Sequence, residues 1–260
     1  MTKLKLATKV ILPLVLVSIL TNLLVFIPPT QAQSQRRSGL IAKIKRFFLG
    51  TRSGGTPTGR HRGGAVRDRC PNVDQPLTAL VPATDAGIPF VEPTISERPS
   101  FWFYVPYFPR SQRNAEFVLI DENEDDVYAT TFPLTQPSGI VSLQLPQTIP
   151  PLKEGEQYRW VFSVICNPAN RSADATVNGW IERVPVNLAL SNQLQTATDK
   201  ALLFVYADQG LWYETLTLLA QLQRTHPQQQ ELQDDWQDLL QTIGLPETIS
   251  PSWTTYSLPN

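Results

Sequence analysis

Pro151-Leu152-Lys153-Glu154-Gly155-Glu156-Gln157-Tyr158-Arg159-Trp160-Val161-Phe162-Ser163-Val164-Ile165-Cys166 is the stretch on which the rest of the chain hangs. From Tyr158 onward, Tyr158, Trp160, Phe162, Val164 and Cys166 share one face, and Arg159, Val161, Ser163 and Ile165 the other. A period of two, rich in aromatic and β-branched residues, predicts a strand with one core-facing side. The preceding Leu152-x-x-Gly155-x-x-Tyr158 has the form of a tyrosine corner. There a Tyr near the start of a strand bonds through its hydroxyl to backbone a few residues upstream. Gly155 supplies the turn. In antibody domains a cysteine stands two residues after that Tyr. Here Trp160 does, so an indole fills the core and the antibody-type inter-sheet bridge is absent.

Further short strands flank this one. Leu77–Val81, Phe101–Val105, Glu116–Ile120, Val127–Phe132, Ile140–Leu145 and Ala175–Val184 are each bounded by Pro, Gly or acidic turn residues. Seven strands with turn signals about every ten residues predict an antiparallel β-sandwich of the immunoglobulin or fibronectin-III kind over 70–186. After residue 187 the period changes to that of helices. Leu194, Ala197, Ala201, Leu202 and Val205 mark a first helix, broken at Asp208-Gln209-Gly210. Trp212, Leu216, Leu219 and Ala220 mark a second, and Leu232, Trp236, Leu239, Leu240 and Ile243 a third, ended by Gly244 and Pro246. Tyr206-Ala207-x-x-Gly210-x-Trp212-Tyr213 is similar to the turn of a tetratricopeptide hairpin. One such unit cannot hide its apolar face alone, so it must pack on the sandwich, on the third helix or on a partner. The fold class expected is α+β: a sandwich at 70–186, a helical unit at 187–246 and an irregular tail at 247–260.

The N-terminal quarter reads differently. Residues 1–32 carry Lys3, Lys5 and Lys9, an apolar run from Val10 to Ile27, and small residues at Thr30-Gln31-Ala32. This is a cleaved signal peptide or an uncleaved anchor, and either one exports the remainder. Residues 33–69 form a basic, Gly- and Ser-rich linker with ten basic residues and one acid between Arg36 and Arg69. The linker is expected to be disordered. Within it, Leu40, Ile41, Ile44, Phe47 and Phe48 share a helical face beside Lys43 and Arg46, a pattern suited either to an anionic membrane surface or to a solvated linker. Beyond residue 70 the chain is acidic, although the whole has a formal charge of −1. Export argues against a nucleic-acid role for the basic arm. It also favours reading the two cysteines, Cys70 and Cys166, as a disulfide, the alternative being two free thiols.

Candidate chemistry is sparse. The histidines are His61 and His226, with no Cys or carboxylate cluster beside either, so a His-based triad or zinc site is poorly supported. No nucleophile elbow, P-loop or dinucleotide fingerprint occurs. Asp121-x-Asn123-x-Asp125 matches the first three ligand positions of a calcium loop, but Asp126 stands where Gly is needed and Phe132 where Glu should close the sphere. A charged hairpin tip is the simpler reading. The aromatic run at 101–107 places Trp102 and Tyr104 on one face and Phe101, Phe103 and Val105 on the other. If the first face is exposed, Trp102 and Tyr104 form a ligand platform; if not, the helices cover it.

Several of these segments together resemble a cyanobacterial family, DUF928. They are Cys70-Pro71, Leu77-Thr78-Ala79-Leu80-Val81-Pro82, Phe101-Trp102-Phe103-Tyr104-Val105-Pro106-Tyr107, Tyr158-Arg159-Trp160 with Cys166, Gly179-Trp180-Ile181 and Gly210-Leu211-Trp212-Tyr213-Glu214. The resemblance implies an exported protein and carries over no catalytic residues. The reading that follows is a non-catalytic protein of the periplasm or cell exterior, membrane-anchored if the first segment is retained. It needs no cofactor and acts as an interaction or scaffold module for an envelope protein, with peripheral membrane contact through the basic arm. The alternative is a carbohydrate- or small-ligand-binding module using Trp102 and Tyr104.

Overall fold

A computed structural model describes residues 39–40, 42–44, 70–83, 90–107, 113–249 and 253–259. The signal peptide or anchor expected at 1–32 and most of the expected basic linker lie outside the described residues. The fold is mixed α+β; among the described residues, nine strands form two sheets, with helices inserted between the eighth strand and the ninth.

The alternating stretch at 157–165 is β7 (Gln157–Ile165), the middle strand of the larger sheet. Its neighbours are β4 (Arg113–Ile120) and β8 (Ala175–Arg183), both antiparallel, with β5 (Asp126–Leu134) beyond β4 and β2 (Val91–Thr94) beyond β8. Tyr158, Trp160, Phe162 and Val164 are all buried, as the alternation predicts. The Tyr158 hydroxyl accepts a hydrogen bond from Lys153 N–H at 3.0 Å, and Gly155 takes a φ of 80°, so the corner forms. The smaller sheet runs in the order β1 (Thr78–Ala79), β3 (Ser100–Val105), β6 (Gly139–Gln144), β9 (Trp253–Ser257).

Aromatic rings bridge the sheets. Phe103 of β3 stacks on Phe162 of β7 at 4.2 Å and meets Trp160 edge-on at 5.6 Å; Phe101 lies 4.9 Å from Phe117 of β4. Such pairs add stability beyond their buried area. Cys70 and Cys166 form the disulfide, with Cα atoms 5.1 Å apart, and tie the chain entering the sheets to the end of β7.

Among the described residues four helices follow β8: α2 (Leu188–Thr196), α3 (Asp199–Gln209), α4 (Trp212–Thr225) and α5 (Gln230–Thr242). A further helical piece, α1, comprises residues 39–40 and 42–44. The first helix expected after residue 187 is therefore two. The hydroxyl of Thr198 accepts from Ala201 N–H and caps α3, with Asp199 in its first turn, and this cap ends the helical run at Ala197. Gly210 (φ 71°) closes α3 in the left-handed conformation and turns the chain into α4.

Three expectations need correction. The tail at 247–260 is not irregular throughout, because Trp253–Ser257 pairs in parallel with β6. Val91–Thr94, not foreseen as a strand, pairs in parallel with β8, and its Pro93 is tolerated because β2 lies at the sheet edge. The apolar face of the segment at 40–48 is not free where it is described. Leu40 and Ile44 are fully buried, and Lys43 pairs with Asp208 while lying over the Phe204 ring of α3. Helix α3 offers this segment both apolar surface and a countercharge.

Candidate functional site

The face of β3 turned away from the rings that bridge the two sheets meets the helical layer. Trp102 is 4% exposed, and its Nε1 donates to Thr217 Oγ1 of α4 at 3.1 Å. Its ring meets Trp236 of α5 and Trp253 of β9, each at 5.9 Å, and those two rings lie 5.1 Å apart. The exposed platform of Trp102 with Tyr104 is thus not found. Trp102 is covered by α4 and α5, whose apolar faces need such a surface, and is flanked within its own sheet by Trp253 of β9. Tyr104 is half-buried at the edge of a separate cleft of about 600 Å³ with Asp74, Pro106, Ser138, Pro246 and Thr248, and burial raises its hydroxyl pKa.

The titratable groups of the interior hold the layers together. Glu214, in the first turn of α4, accepts from Thr94 Oγ1 (2.6 Å), Ile95 N–H (2.9 Å) and Ser96 N–H (3.1 Å). Burial pushes its carboxyl pKa up against the pull of these hydrogen bonds. Tyr213 is buried, and its hydroxyl accepts from Trp160 Nε1 at 2.9 Å. Burial, with nearby Glu92, drives that hydroxyl well above its usual pKa. Trp212 Nε1 donates to the Leu80 carbonyl at 2.7 Å. Three successive residues, Trp212, Tyr213 and Glu214, thereby fasten α4 to Leu80 just after β1, to Trp160 of the central strand β7 and to Thr94 at the end of β2.

The acidic tip closes on itself. Asp121 Oδ1 accepts from Asn123 N–H (2.8 Å) and Asp125 N–H (3.0 Å), which holds its carboxyl pKa down, and Glu124 takes φ 64° while pairing with Arg159. The carboxylate that opens the calcium-like pattern thus caps its own turn. Among the described residues no group of three or more His, Cys, Asp or Glu is placed to hold a metal ion.

A second concavity lies beside the helical layer. It is a groove of about 670 Å³ between the end of α4, the start of α5 and β9, lined by Gln223, Arg224, Gln230, Asp234, Gln237 and Trp253 among others. Two side chains of the wall are built against the grain. Gln223 is 8% exposed, with a buried Oε1 that no donor reaches; Gln237 has a buried Nε2 that no acceptor reaches. Each such atom costs about 1–3 kcal/mol when buried unpaired.

The chain matches, over residues 62–252, the family described as Domain of Unknown Function (DUF928). The chain belongs to this family. No curated protein matches it. The DUF928 match takes in the disulfide, the walls of both concavities up to residue 252 and the Trp212–Glu214 fastening. It stops one residue short of Trp253, so the strand that floors the groove lies outside it. The groove is not legible in the sequence because its residues come from three elements. One signal was legible: Gln223 falls seven residues after Leu216, on the apolar stripe of α4, where a core residue is expected.

Proposed function

We propose that this chain is a non-catalytic interaction module of the periplasm or cell exterior of a cyanobacterium. In this reading an immunoglobulin- or fibronectin-III-like sandwich carries a tetratricopeptide-like hairpin, α3–α4, and presents it with α2 to an envelope protein. The observation that carries the reading is the start of α2. Among the described residues the large apolar side chains left exposed are Val186 (40%) and Leu188 (79%), two positions apart. Helix α2 is nine residues long and buries Leu190 alone. A helix so short gains little from its own hydrogen bonds, so an apolar partner surface would complete it. The Cys70–Cys166 disulfide supports an oxidising compartment. Glu214 Oε1 is taken up by the Thr94 hydroxyl and the Ile95 and Ser96 N–H groups, its Oε2 is buried with no hydrogen-bond partner, and the Tyr213 hydroxyl accepts from the Trp160 indole; the three donors on Oε1 and the indole on Tyr213 favour a structural use of these groups.

The test is photo-crosslinking from Asn192, an exposed position on α2. A single envelope protein should be captured by the native sequence and lost from Leu188→Glu. Capture that survives Leu188→Glu, or none from the native sequence in intact envelopes, would remove the basis for this reading.

A further inference from the structure

The groove between the end of α4, the start of α5 and β9 shares no lining residue with the α2 patch and has its own chemistry. Its wall is held by amides. Gln230 Nε2 donates to Asp234 Oδ1 at 3.0 Å, and Gln233 Nε2 donates to the Pro227 carbonyl at 2.5 Å. Gln223 and Gln237 have no such task for the buried ends of their amides: one acceptor, Gln223 Oε1, and one donor, Gln237 Nε2, are left unmatched beside the cavity. Trp253 packs its inner side on Trp102 and Trp236 and presents the rest of its half-buried indole to the groove. Arg224 and Asp234 carry opposite charges at the lining, so the groove has no net sign to select an anion or a cation.

We infer that this groove binds a neutral saccharide. A sugar hydroxyl donates and accepts at once, so the several hydroxyls of one sugar can satisfy both an unmatched acceptor and an unmatched donor. The C–H face of a pyranose ring is apolar and covers an indole. The terminal torsion of a glutamine is broad, so a small rotation brings either buried amide atom to the ligand. A phosphate or carboxylate ligand would need a cluster of cationic donors, which this lining does not supply. Amides buried without partners weaken the fold, and their presence at a cavity wall is explained when a ligand completes them.

The test uses the full-length oxidised chain, read by tryptophan emission, with cellotetraose, maltotetraose and the tetramer of N-acetylglucosamine as probes. At least one should give a saturable change with Kd of about 1 mM or tighter. Gln223→Leu should raise Tm by about 2–4 °C, because an unpaired buried amide is removed, while weakening that sugar about ten-fold or more. Gln237→Leu should weaken it similarly and serves if the first variant fails to fold. Leu188→Glu should leave sugar binding unchanged, which separates this site from the α2 contact proposed above. Three results would overturn the inference: no saturable response to any of the three sugars at about 10 mM, affinity unaltered in the folded leucine variants, or tighter binding of tetra-alanine than of every sugar.

Discussion

Gly179 lies opposite Trp160 in the register of β7 and β8. A Cβ at this position would sit 2.3 Å from Cζ2, 2.9 Å from Cε2 and 3.0 Å from Cη2 of that indole. Carbon atoms rest at about 3.5–4.0 Å, so Gly179→Ala drives the ring back by more than about 1 Å. The ring has nowhere to go. It is 1% exposed, Phe103 stands 5.6 Å away and Phe101 6.2 Å, and its Nε1 is bonded to the buried Tyr213 hydroxyl. Overpacking of this kind costs about 1–3 kcal/mol, and parting the indole from Tyr213 adds about 1–3 kcal/mol for the unpaired buried groups. Gly179→Ala is therefore expected to destabilise the chain by about 3–5 kcal/mol and to lower Tm by about 8–15 °C. Guanidinium unfolding followed by tryptophan fluorescence reads the first quantity, provided the m-value is unchanged. The decisive comparison is a double-mutant cycle with Trp160→Phe, whose smaller ring leaves room for the new methyl. The two substitutions should couple by at least about 1 kcal/mol, the double variant being more stable than the sum predicts. An additive cycle, or a single variant within about 1 kcal/mol of the native chain, would mean that the indole is free to move and that the core between the sheets is looser than its contacts imply.

Two further outcomes follow from charge and covalent connectivity. Burial, with Glu231, Asp238 and Asp234 nearby and only Lys200 opposing, pushes the Asp235 carboxyl from an ordinary 3.8 up to about 7. A raised folded pKa means stability that is fully present below the unfolded value and lost as pH rises through the folded one, so the loss runs from about pH 4 to about pH 7. Asp235→Asn mimics the protonated form. Allowing for solvent screening, it should stabilise by about 1–2 kcal/mol at pH 8 and hardly at all at pH 4, read from urea midpoints at the two pH values; an equal gain at both would contradict this. The disulfide closes a loop with a sequence separation of 96. The double variant Cys70→Ala/Cys166→Ala should lose about 3–5 kcal/mol, and a melting curve indifferent to reductant in the native chain would show that the bridge constrains little.

Much of the sheet architecture is legible because it is local. Strand β7 announces itself through Tyr158, Trp160, Phe162 and Val164. Strands β4 and β5 form a hairpin around Asp121–Asp125 that the alternation and the charged tip both mark. The apolar stripes of α4 and α5 appear at the spacing their burial requires. What escapes is what depends on distant partners. Strands β2 and β9 are short edge strands paired in parallel, Val91 opposite Trp180 and Ile140 opposite Trp253, with no turn to reveal the match. A four-residue strand containing Pro93 has no periodicity to read. The division of α2 from α3 turns on one hydroxyl, that of Thr198, whose capping role competes with an apolar pattern continuing across it. The groove is hidden for the same reason as β9: without the tail strand in place, Trp253 has no neighbours to be read against.

The burial of Trp102 has a consequence for how the two halves relate. A sandwich followed by a helical unit suggests two bodies joined in series, but the indoles argue for one. Trp102 from the smaller sheet, Trp236 from α5 and Trp253 from β9 form a single aromatic contact set, and β9 itself completes the smaller sheet only after the chain has passed through all the helices. Trp160 and Leu80 in the sheets give their hydrogen-bonding groups to Tyr213 and Trp212 of α4. Remove the helices, and a buried indole N–H and a carbonyl lose partners while an entire aromatic face meets water. Each costs more than a surface contact, because buried polar groups lose their partners in the same step as the apolar area is exposed. The helical layer is thus part of what makes the sheets stable. A ligand seated on Trp253 would stiffen this same aromatic set, so occupancy of the groove and stability of the whole body are linked through three tryptophans.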